Sequence, residues 1–203
     1  MLLLKLYKEN TDLQKVKEVV ETLQQGGLII YPTDSVYAIG CDALNIRAVE
    51  KICKLKGVNP LKSNLSIACE NISQISEYAK VDNKTFRLLR SNLPGPFTFI
   101  VPTSSSLPKI YKKRKEVGVR IPNNNIALQI IRLLGNPMMT TSVKLNIAEP
   151  EYTMDPELLA DTYATLVDLI INGGHGGTVP STIVNCIDDN FEITRQGLKE
   201  LSY

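Results

Sequence analysis

With 203 residues, the chain is long enough to bury a continuous core, and we expect a single domain over residues 1–203. A net charge of +2, with 43% hydrophobic and 22% charged residues, gives no overall bias toward nucleic acids or membranes. The four cysteines lack the paired spacing of zinc ligands, which argues against a zinc site and favours a reducing compartment. No apolar run is long enough for a signal peptide or a membrane span, so we expect a cytoplasmic protein without a membrane partner.

The first half of the chain alternates strand and helix patterns. Strands are predicted at residues 2–7, 28–31, 64–69 and 97–101, and helices between Thr11 and Gly26, between Asn45 and Gly57, at 71–79 and at 82–91. Thr11 and Gln14 have the spacing of a capping box, and glycines end the first two helices. Asn45 and Asp82 are the expected caps of the second helix and of the helix at 82–91. A turn is predicted at residues 93–96, where two prolines flank a glycine.

The second half continues this alternation after a basic segment. Residues 102–115 are polar and end in Lys109, Lys112, Lys113, Arg114 and Lys115, and we interpret them as a mobile surface segment. Strands are predicted at 117–121, 138–141, 167–172, 183–186 and 191–194, and helices at 123–134 and 155–165. The last two strands are expected to form a hairpin. This order predicts a three-layer α/β domain with a twisted mixed sheet of parallel and antiparallel strands.

The loop after the predicted strand at 28–31 is unusually rich in polar chemistry. Thr33, Asp34, Ser35 and Tyr37 place three hydroxyls and a carboxylate within five residues. A loop of this kind at the end of a sheet strand is where open α/β sheets bind ligands. A hydrogen-bonded turn that only caps a helix fits the spacing equally well, so the pattern by itself leaves both interpretations open.

Hydroxyl and cationic side chains recur at the ends of other predicted elements. They are Thr33, Ser35, Lys56, Arg120, Ser142, Lys144, Ser181, Thr182 and Arg195. The sequence has no Walker A loop, dinucleotide glycine motif or Ser/His/Asp triad, and His175 lies among glycines without an evident partner. Hydroxyls and point charges from several loops suit a polyphosphate and charge stabilisation during phosphoryl or nucleotidyl transfer. Each residue taken singly is more often a cap, a turn bond or a surface cation.

Ordered motifs along nearly the whole chain resemble the YrdC/YciO family. The stretch Gly-Gly-Leu-Ile-Ile-Tyr-Pro-Thr-Asp-Ser-Val-Tyr-Ala-Ile-Gly at 26–40 is similar to the family pattern of two glycines, an apolar run and Tyr-Pro-Thr-Glu-Thr-Val-Tyr-Gly-Leu-Gly. The other matching segments are 54–57, 93–98, 119–122, 168–174, 180–184 and 193–197. The resemblance implies a YrdC-like fold over residues 1–203.

The resemblance also implies an activity. Family members make threonylcarbamoyl-adenylate from threonine, bicarbonate and ATP, the first step towards N6-threonylcarbamoyladenosine in tRNA. ATP would then be a substrate accompanied by Mg²⁺, with no metal held by protein side chains alone. Members of the family are also described as binding double-stranded RNA and tRNA through a positively charged cavity. The alternative is therefore a weakly catalytic or non-catalytic RNA-binding protein.

The motifs carry expected roles over to individual residues. Lys56 and Ser142 are the expected catalytic residues. The nucleotide is expected to contact Thr33, Lys56, Ser142, Lys144 and Arg195. Threonine is expected to contact Tyr37, Arg120 and Ser181, with the planar guanidinium of Arg120 matching the carboxylate.

The chain departs from the synthase pattern at several of these motifs. The usual Lys-x-Arg is Lys56-Gly57-Val58, the usual Ser-x-Asn is Ser142-Val143-Lys144, and a usual histidine is replaced by Cys69. Loss of the guanidinium removes bidentate phosphate contacts, and Lys144 or Lys62 would restore part of the charge. These changes make the chain more similar to the YciO branch, where synthase activity is expected to be weakened or lost. We expect no counterpart of the C-terminal domain of the longer family members.

Overall fold

The computed structural model describes residues 2–7, 9, 11–59, 65–112, 115–144, 148–187 and 191–203. The strands are β1 (Leu2–Lys5), β2 (Ile29–Tyr31), β3 (Ala38–Asp42), β4 (Ser66–Ala68), β5 (Phe97–Pro102), β6 (Glu116–Arg120), β7 (Met138–Ser142), β8 (Leu169–Asn172), β9 (Thr182–Asn185) and β10 (Glu192–Arg195). The helices are α1 (Leu13–Gln24), α2 (Ile46–Lys56), α3 (Ile72–Tyr78), α4 (Asn83–Asn92), α5 (Lys109–Lys112), α6 (Asn125–Leu134), α7 (Glu151–Met154) and α8 (Pro156–Tyr163).

The described strands form one ten-stranded sheet in the order β1-β8-β2-β3-β7-β4-β6-β5-β9-β10. Neighbours are parallel at β1–β8, β8–β2, β4–β6 and β5–β9. They are antiparallel at β2–β3, β3–β7, β7–β4, β6–β5 and β9–β10. The predicted α/β fold with a mixed sheet is confirmed, and so is the hairpin of the last two strands.

Helices cover the sheet on both faces. Ile29 and Tyr31 belong to a core that includes residues of α1 and α6, whereas Ile30 between them belongs to a second core with residues of α2, α3, α4 and α8. Successive side chains of a strand point to opposite faces, so the two cores lie on opposite sides of the sheet. The helices therefore form two outer layers around the strands.

Side-chain caps fix where the helices begin. Asn45 and Asp82 cap α2 and α4 as predicted, by accepting hydrogen bonds from the N–H groups of Ala48 and Thr85. The helix α1 differs by one residue, because its cap is Asp12 and not Thr11. None of the described helices is both long and apolar enough to cross a membrane.

The strand β3 is missing from the sequence prediction, which left its residues in a loop. Its backbone pairs with β2 on one side and with β7 on the other, and Ala38 lies opposite both Tyr31 and Ser142. Gly40 at its centre lowers strand propensity, but a Cβ there would lie 2.8 Å from the Tyr31 ring. The central loop is therefore the turn of a β-hairpin.

The interpretation of residues 102–115 as a mobile surface segment is wrong for its apolar residues. Leu107 and Tyr111 are buried, with 1% and 2% of their surface exposed, and Tyr111 belongs to the short helix α5. Apolar burial of this kind ties the segment to the core. Lys113 and Arg114 of the basic run, like Lys62, lie outside the described residues.

Candidate functional site

A cavity of about 200 Å³ lies on the sheet between β7 and β10, beside the C-terminal end of α2. Its cations are Lys56, Arg120 and Arg195. Its hydroxyls belong to Ser66, Thr98, Thr140, Thr141, Ser142 and Ser181. The described lining residues include no carboxylate, and a cleft of one charge sign concentrates ligands of the opposite sign. The cavity therefore suits an anionic ligand.

The floor of the cavity is an open part of the sheet face that carries α1 and α6. Met138 and Ala68 belong to the core of that face, and no described residue of β5, β6, β9 or β10 does. Thr140 lies two residues after Met138 and Ser66 lies two residues before Ala68, so all four side chains share the face. The cavity therefore lies on the part of this sheet face that α1 and α6 do not cover.

A glycine keeps the floor of the cavity open. Gly118 on β6 pairs with Ser66 on β4 and with Ile100 on β5. A Cβ at this position would collide with the Ser66 hydroxyl and would lie 3.0 Å from the Thr98 methyl group. The absence of a side chain at Gly118 therefore lets both hydroxyl residues project into the cavity.

Lys56 joins the end of α2 to the end of β7. Its Nζ donates a hydrogen bond to the Ser142 carbonyl at 2.8 Å, which leaves further N–H donors for a ligand. Burial and then the charge of Lys144 lower the pKa of Lys56. Gly57 ends the helix with a φ of 63°, and Val58 then lines the cavity. An apolar residue, Val58, therefore lines the cavity near Lys56, at the position where the usual Lys-x-Arg motif has an arginine.

Ser142 and Lys144 occupy different positions relative to the cavity. Ser142 is the last residue of β7 and lines the cavity. The side chain of Lys144 is exposed and is not part of the described lining, while its backbone N–H donates to the Tyr163 hydroxyl at 3.1 Å. The charge of Lys144 still reaches Lys56, so a multiply charged anion at Lys56 would interact with both ammonium groups.

Arg120 enters the cavity from the end of β6 as half of a buried ion pair. Its Nη2 lies 2.7 Å from Asp34 Oδ1, and the two side chains are 7% and 8% exposed. The buried Nε of Arg120 has no acceptor among the described residues. A buried donor without an acceptor is costly, and a ligand in the cavity would contact Arg120 through its Nη groups and not through this atom.

Arg195 and Ser181 form the opposite side of the cavity. The Nε and Nη2 of Arg195 donate to the Ser181 carbonyl at 3.1 and 2.8 Å. The Ser181 hydroxyl lies 3.0 Å from the Thr98 hydroxyl. Partial burial and then the charge of Arg120 lower the pKa of Arg195, so the two guanidinium groups act on each other.

Five of the predicted site residues come together here, namely Lys56, Arg120, Ser142, Ser181 and Arg195. Thr33 is not among the described lining residues. Its hydroxyl donates to the Val36 carbonyl at 2.7 Å and accepts from the Ser35 N–H at 3.1 Å. These bonds hold the turn after β2, and the expected nucleotide contact of Thr33 stays a prediction.

Tyr37 also lies away from the described lining of the cavity. Its side chain is fully buried, and its hydroxyl donates to the Gly174 carbonyl at 2.7 Å and accepts from the Gly173 N–H at 3.1 Å. Burial raises the pKa of Tyr37 to about 12, so the hydroxyl remains protonated at neutral pH. The geometry gives no support to the expected threonine contact, because the backbone occupies this hydroxyl.

Replacing Tyr37 by phenylalanine is expected to lower the free energy of unfolding by about 1–3 kcal/mol, because the Gly173 and Gly174 backbone groups lose their partner. Urea-induced unfolding measures the change. Tyr7→Phe is the matched control, since the Tyr7 side chain is 60% exposed. Unchanged stability together with weaker threonine binding in Tyr37→Phe would instead favour a ligand contact.

The sequence analysis missed the hydroxyls contributed by strand interiors. Ser66, Thr98 and Thr140 lie within strands, where an isolated serine or threonine reads as an ordinary strand residue. The alternation in Phe97-Thr98-Phe99 was a usable signal, because it places one polar side chain opposite two core side chains. Asp34 was noted in its loop, but its partner follows 86 residues later in the chain.

Metal-binding side chains do not converge in the described part of the chain. No group of three or more His, Cys, Asp or Glu residues there is suited to hold a metal ion. The cysteines Cys41, Cys53, Cys69 and Cys186 are buried and free. Burial raises the pKa of the Cys69 thiol, so this residue is a neutral core side chain.

Comparison with known proteins gives one family. The Sua5/YciO/YrdC family model, described as "Telomere recombination", matches residues 21–197. The protein YciO of Escherichia coli K12 is 37% identical over 199 residues, which cover 97% of this chain and 95% of the relative. The crystal structure of E. coli YciO has a TM-score of 0.90 at 36% identity and covers 98% of each chain.

Two further relatives have more informative names. The threonylcarbamoyl-AMP synthase of Photobacterium profundum is 28% identical over 190 residues, which cover 91% of this chain and 100% of the relative. The structure of P. abyssi Sua5 complexed with L-threonine has a TM-score of 0.86 at 25% identity and covers 97% of this chain and 58% of that chain. The family match and the higher identity to YciO agree with the predicted resemblance, and the chain belongs to the Sua5/YciO/YrdC family.

Proposed function

We propose that the chain is a nucleotidyltransferase of the threonylcarbamoyl-AMP synthase type, which acts on threonine, bicarbonate and ATP. The observation that carries the proposal is the cavity in which Lys56, Arg120 and Arg195 converge with hydroxyl groups and without a carboxylate among the described lining residues. A relative named as a threonylcarbamoyl-AMP synthase and the Sua5 structure with L-threonine support the same substrates.

The chemistry of this reaction matches an anion cavity. The threonine amine and bicarbonate combine with loss of water to give a carbamate. A carbamate oxygen then attacks the α-phosphorus of ATP, the bond to the bridging oxygen breaks, and pyrophosphate leaves. Such a transfer requires alignment of reactants and neutralisation of charge more than a proton-transfer residue.

The cavity offers two groups of side chains for the two charged substrates. Lys56 and Ser142, with Lys144 outside the described lining, would contact the triphosphate, because ammonium and hydroxyl groups donate to phosphate oxygens. Arg120 would bind the threonine carboxylate beside Ser181. Arg195 lies across from Arg120 and would neutralise charge at the nucleotide. Mg²⁺ would enter with the triphosphate, since it is usually bound through carboxylates and phosphates and the described lining includes no carboxylate.

The direct test is ATP-dependent release of pyrophosphate, measured with and without threonine and bicarbonate. The proposal expects release that requires all three substrates together with Mg²⁺. Threonylcarbamoyl-AMP should form in equal amount, which mass spectrometry of the products measures. Pyrophosphate release at a rate that does not depend on threonine would contradict a synthase function. So would a rate no higher than that measured without protein.

Restoring the family side chains is expected to raise the synthase rate. The variant Val58→Arg with Lys144→Asn recreates both motifs, and a new guanidinium near Lys56 should speed adenylate formation by roughly ten-fold or more. Initial rates of pyrophosphate release measure the gain. Val58→Met with Lys144→Asn is the matched control, because it adds length without charge. A folded double variant with the native rate would indicate that other residues limit the reaction.

A further inference from the structure

Asp34 connects the central loop to the segment after β6 through both of its oxygens. Oδ1 accepts from Arg120 Nη2 at 2.7 Å, and Oδ2 accepts from the backbone N–H of Asn123 at 2.9 Å. The second oxygen bonds to the backbone, and the contact with the guanidinium is made through Oδ1. The buried ion pair holds Arg120 by a single nitrogen.

This arrangement leaves donors of Arg120 unused at the cavity. A guanidinium has five N–H donors in a fixed plane, and the buried Nε of Arg120 has no acceptor among the described residues. A buried charged donor without an acceptor is unfavourable. Arg120 lines the cavity although its Nε has no surface there, so a ligand would meet the Nη groups of the guanidinium.

The loop that carries Asp34 is also held by Asn124 at the start of α6. Asn124 Nδ2 donates to the Thr33 carbonyl at 3.3 Å, while its Oδ1 caps α6 by accepting from the Ala127 N–H at 3.2 Å. These contacts fix the loop against the start of a helix that is itself packed on the sheet. A carboxylate on such a support can set the orientation of its partner.

The opposing cation at the cavity makes this support necessary. Arg195 is close enough to Arg120 for their charges to repel each other. Without a counter-charge, repulsion from Arg195 would disfavour a guanidinium at this position. The Asp34 carboxylate opposes this repulsion from the side of the central loop.

We propose that Asp34 is a positioning residue that holds the Arg120 guanidinium at the cavity, where its free donors bind the carboxylate of an α-amino-acid substrate. The proposal rests on the proposed function for the identity of that substrate. It gives the central loop a role that neither Thr33 nor Tyr37 fills in this structure. Asp34 acts through Arg120 and does not itself contact the ligand.

Binding measurements on Asp34 variants test the proposal. In Asp34→Asn, the Kd for L-threonine measured by calorimetry should rise roughly ten-fold or more, because the charged partner of Arg120 is lost. The Kd for ATP should change by less than about two-fold, well below the ten-fold effect expected for L-threonine. Asp34→Glu, which keeps the carboxylate, should restore threonine affinity. Asp161→Asn, an exposed change of the same charge, is the control.

The outcomes separate positioning from a structural role. Equal loss of threonine and ATP binding, no loss in Asp34→Asn, or no restoration in Asp34→Glu would each overturn the proposal. L-Threoninol, which lacks the carboxylate, should bind the native protein and Asp34→Asn alike. Asp34→Ser supplies a second neutral variant for the case in which Asp34→Asn does not fold.

A measurement that needs no substrate distinguishes failure of this proposal from failure of the proposed function. The NMR signal of the Arg120 Nε–H should be sharp in the native protein and broadened in the neutral variant, because the guanidinium loses its anchor. If the native protein does not bind L-threonine, the proposed function is wrong. The Arg120 Nε–H signal would still test whether Asp34 positions Arg120. Identical signals in the two proteins would overturn the positioning role.

Discussion

Replacing Arg120 by methionine is expected to lower the free energy of unfolding by about 3–5 kcal/mol, because it leaves the Asp34 carboxylate buried without its counter-charge. The side chains of the pair are 7% and 8% exposed, so water can compensate little of the lost interaction. The change is measured by urea-induced unfolding. If the slope of the unfolding free energy against urea concentration is the same in both proteins, the substitution has changed stability and not the compactness of the folded or unfolded state.

A second substitution and an exposed pair provide the controls. In Asp34→Asn with Arg120→Met neither charge remains, so the double variant should lose less stability than the sum of the single variants. Arg132→Met breaks the pair with Glu70, whose arginine side chain is 67% exposed, and should cost at most about 1 kcal/mol. Additive losses, or equal losses from the buried and the exposed pair, would contradict a coupled buried charge pair.

Local structure could be predicted from the sequence wherever its cause is local. Asn45 and Asp82 were identified as caps because a polar side chain precedes an apolar helical pattern, and both bond to the helix as expected. The cap of α1 is Asp12 and not the expected Thr11. This difference also has a local cause, because both residue types are good caps and the sequence does not show which one is placed to accept the hydrogen bond. The alternating elements similarly predict the α/β class.

Long-range arrangement could not be predicted from composition or periodicity. The strand β3 was missed because its pairing with β2 and β7, and not its own propensity, stabilises it. Burial of Tyr111 was missed because neighbouring lysines dominate the composition of its segment. The partners Asp34 and Arg120 are separated by 86 residues, and only the strand order brings them together.

The family motifs predicted the candidate site better than the individual residues did. Lys56, Ser142 and Arg195 reach one cavity, although they end three different elements of the chain. The same motifs also include residues that support the backbone, and sequence similarity does not distinguish the two roles. Tyr37 is such a case, because its hydroxyl bonds to the glycine-rich segment after β8.

Replacing Lys56 by alanine is expected to weaken ATP binding by about 1.5–3 kcal/mol, or roughly ten- to a hundred-fold in Kd, the scale of a charge-assisted hydrogen bond. The ammonium group already lies at the cavity, 2.8 Å from the Ser142 carbonyl, so little reorganisation is needed to meet a phosphate. Calorimetric titration with ATP and Mg²⁺ measures the loss. Lys54→Ala is the control, because Lys54 is exposed on the same helix and does not line this cavity.

The pH dependence of the same titration tests whether the charge of Lys56 is responsible for ATP binding. Burial and Lys144 lower the pKa of Lys56, so its neutral form becomes populated at a lower pH than in an ordinary lysine. Only the charged form attracts phosphate, and the native affinity should therefore fall as pH rises through that lowered pKa. The variant Lys56→Ala should lack this fall. An unchanged Kd in Lys56→Ala, or the same pH profile in both proteins, would remove Lys56 from the nucleotide site and leave Arg120 and Arg195 as its cations.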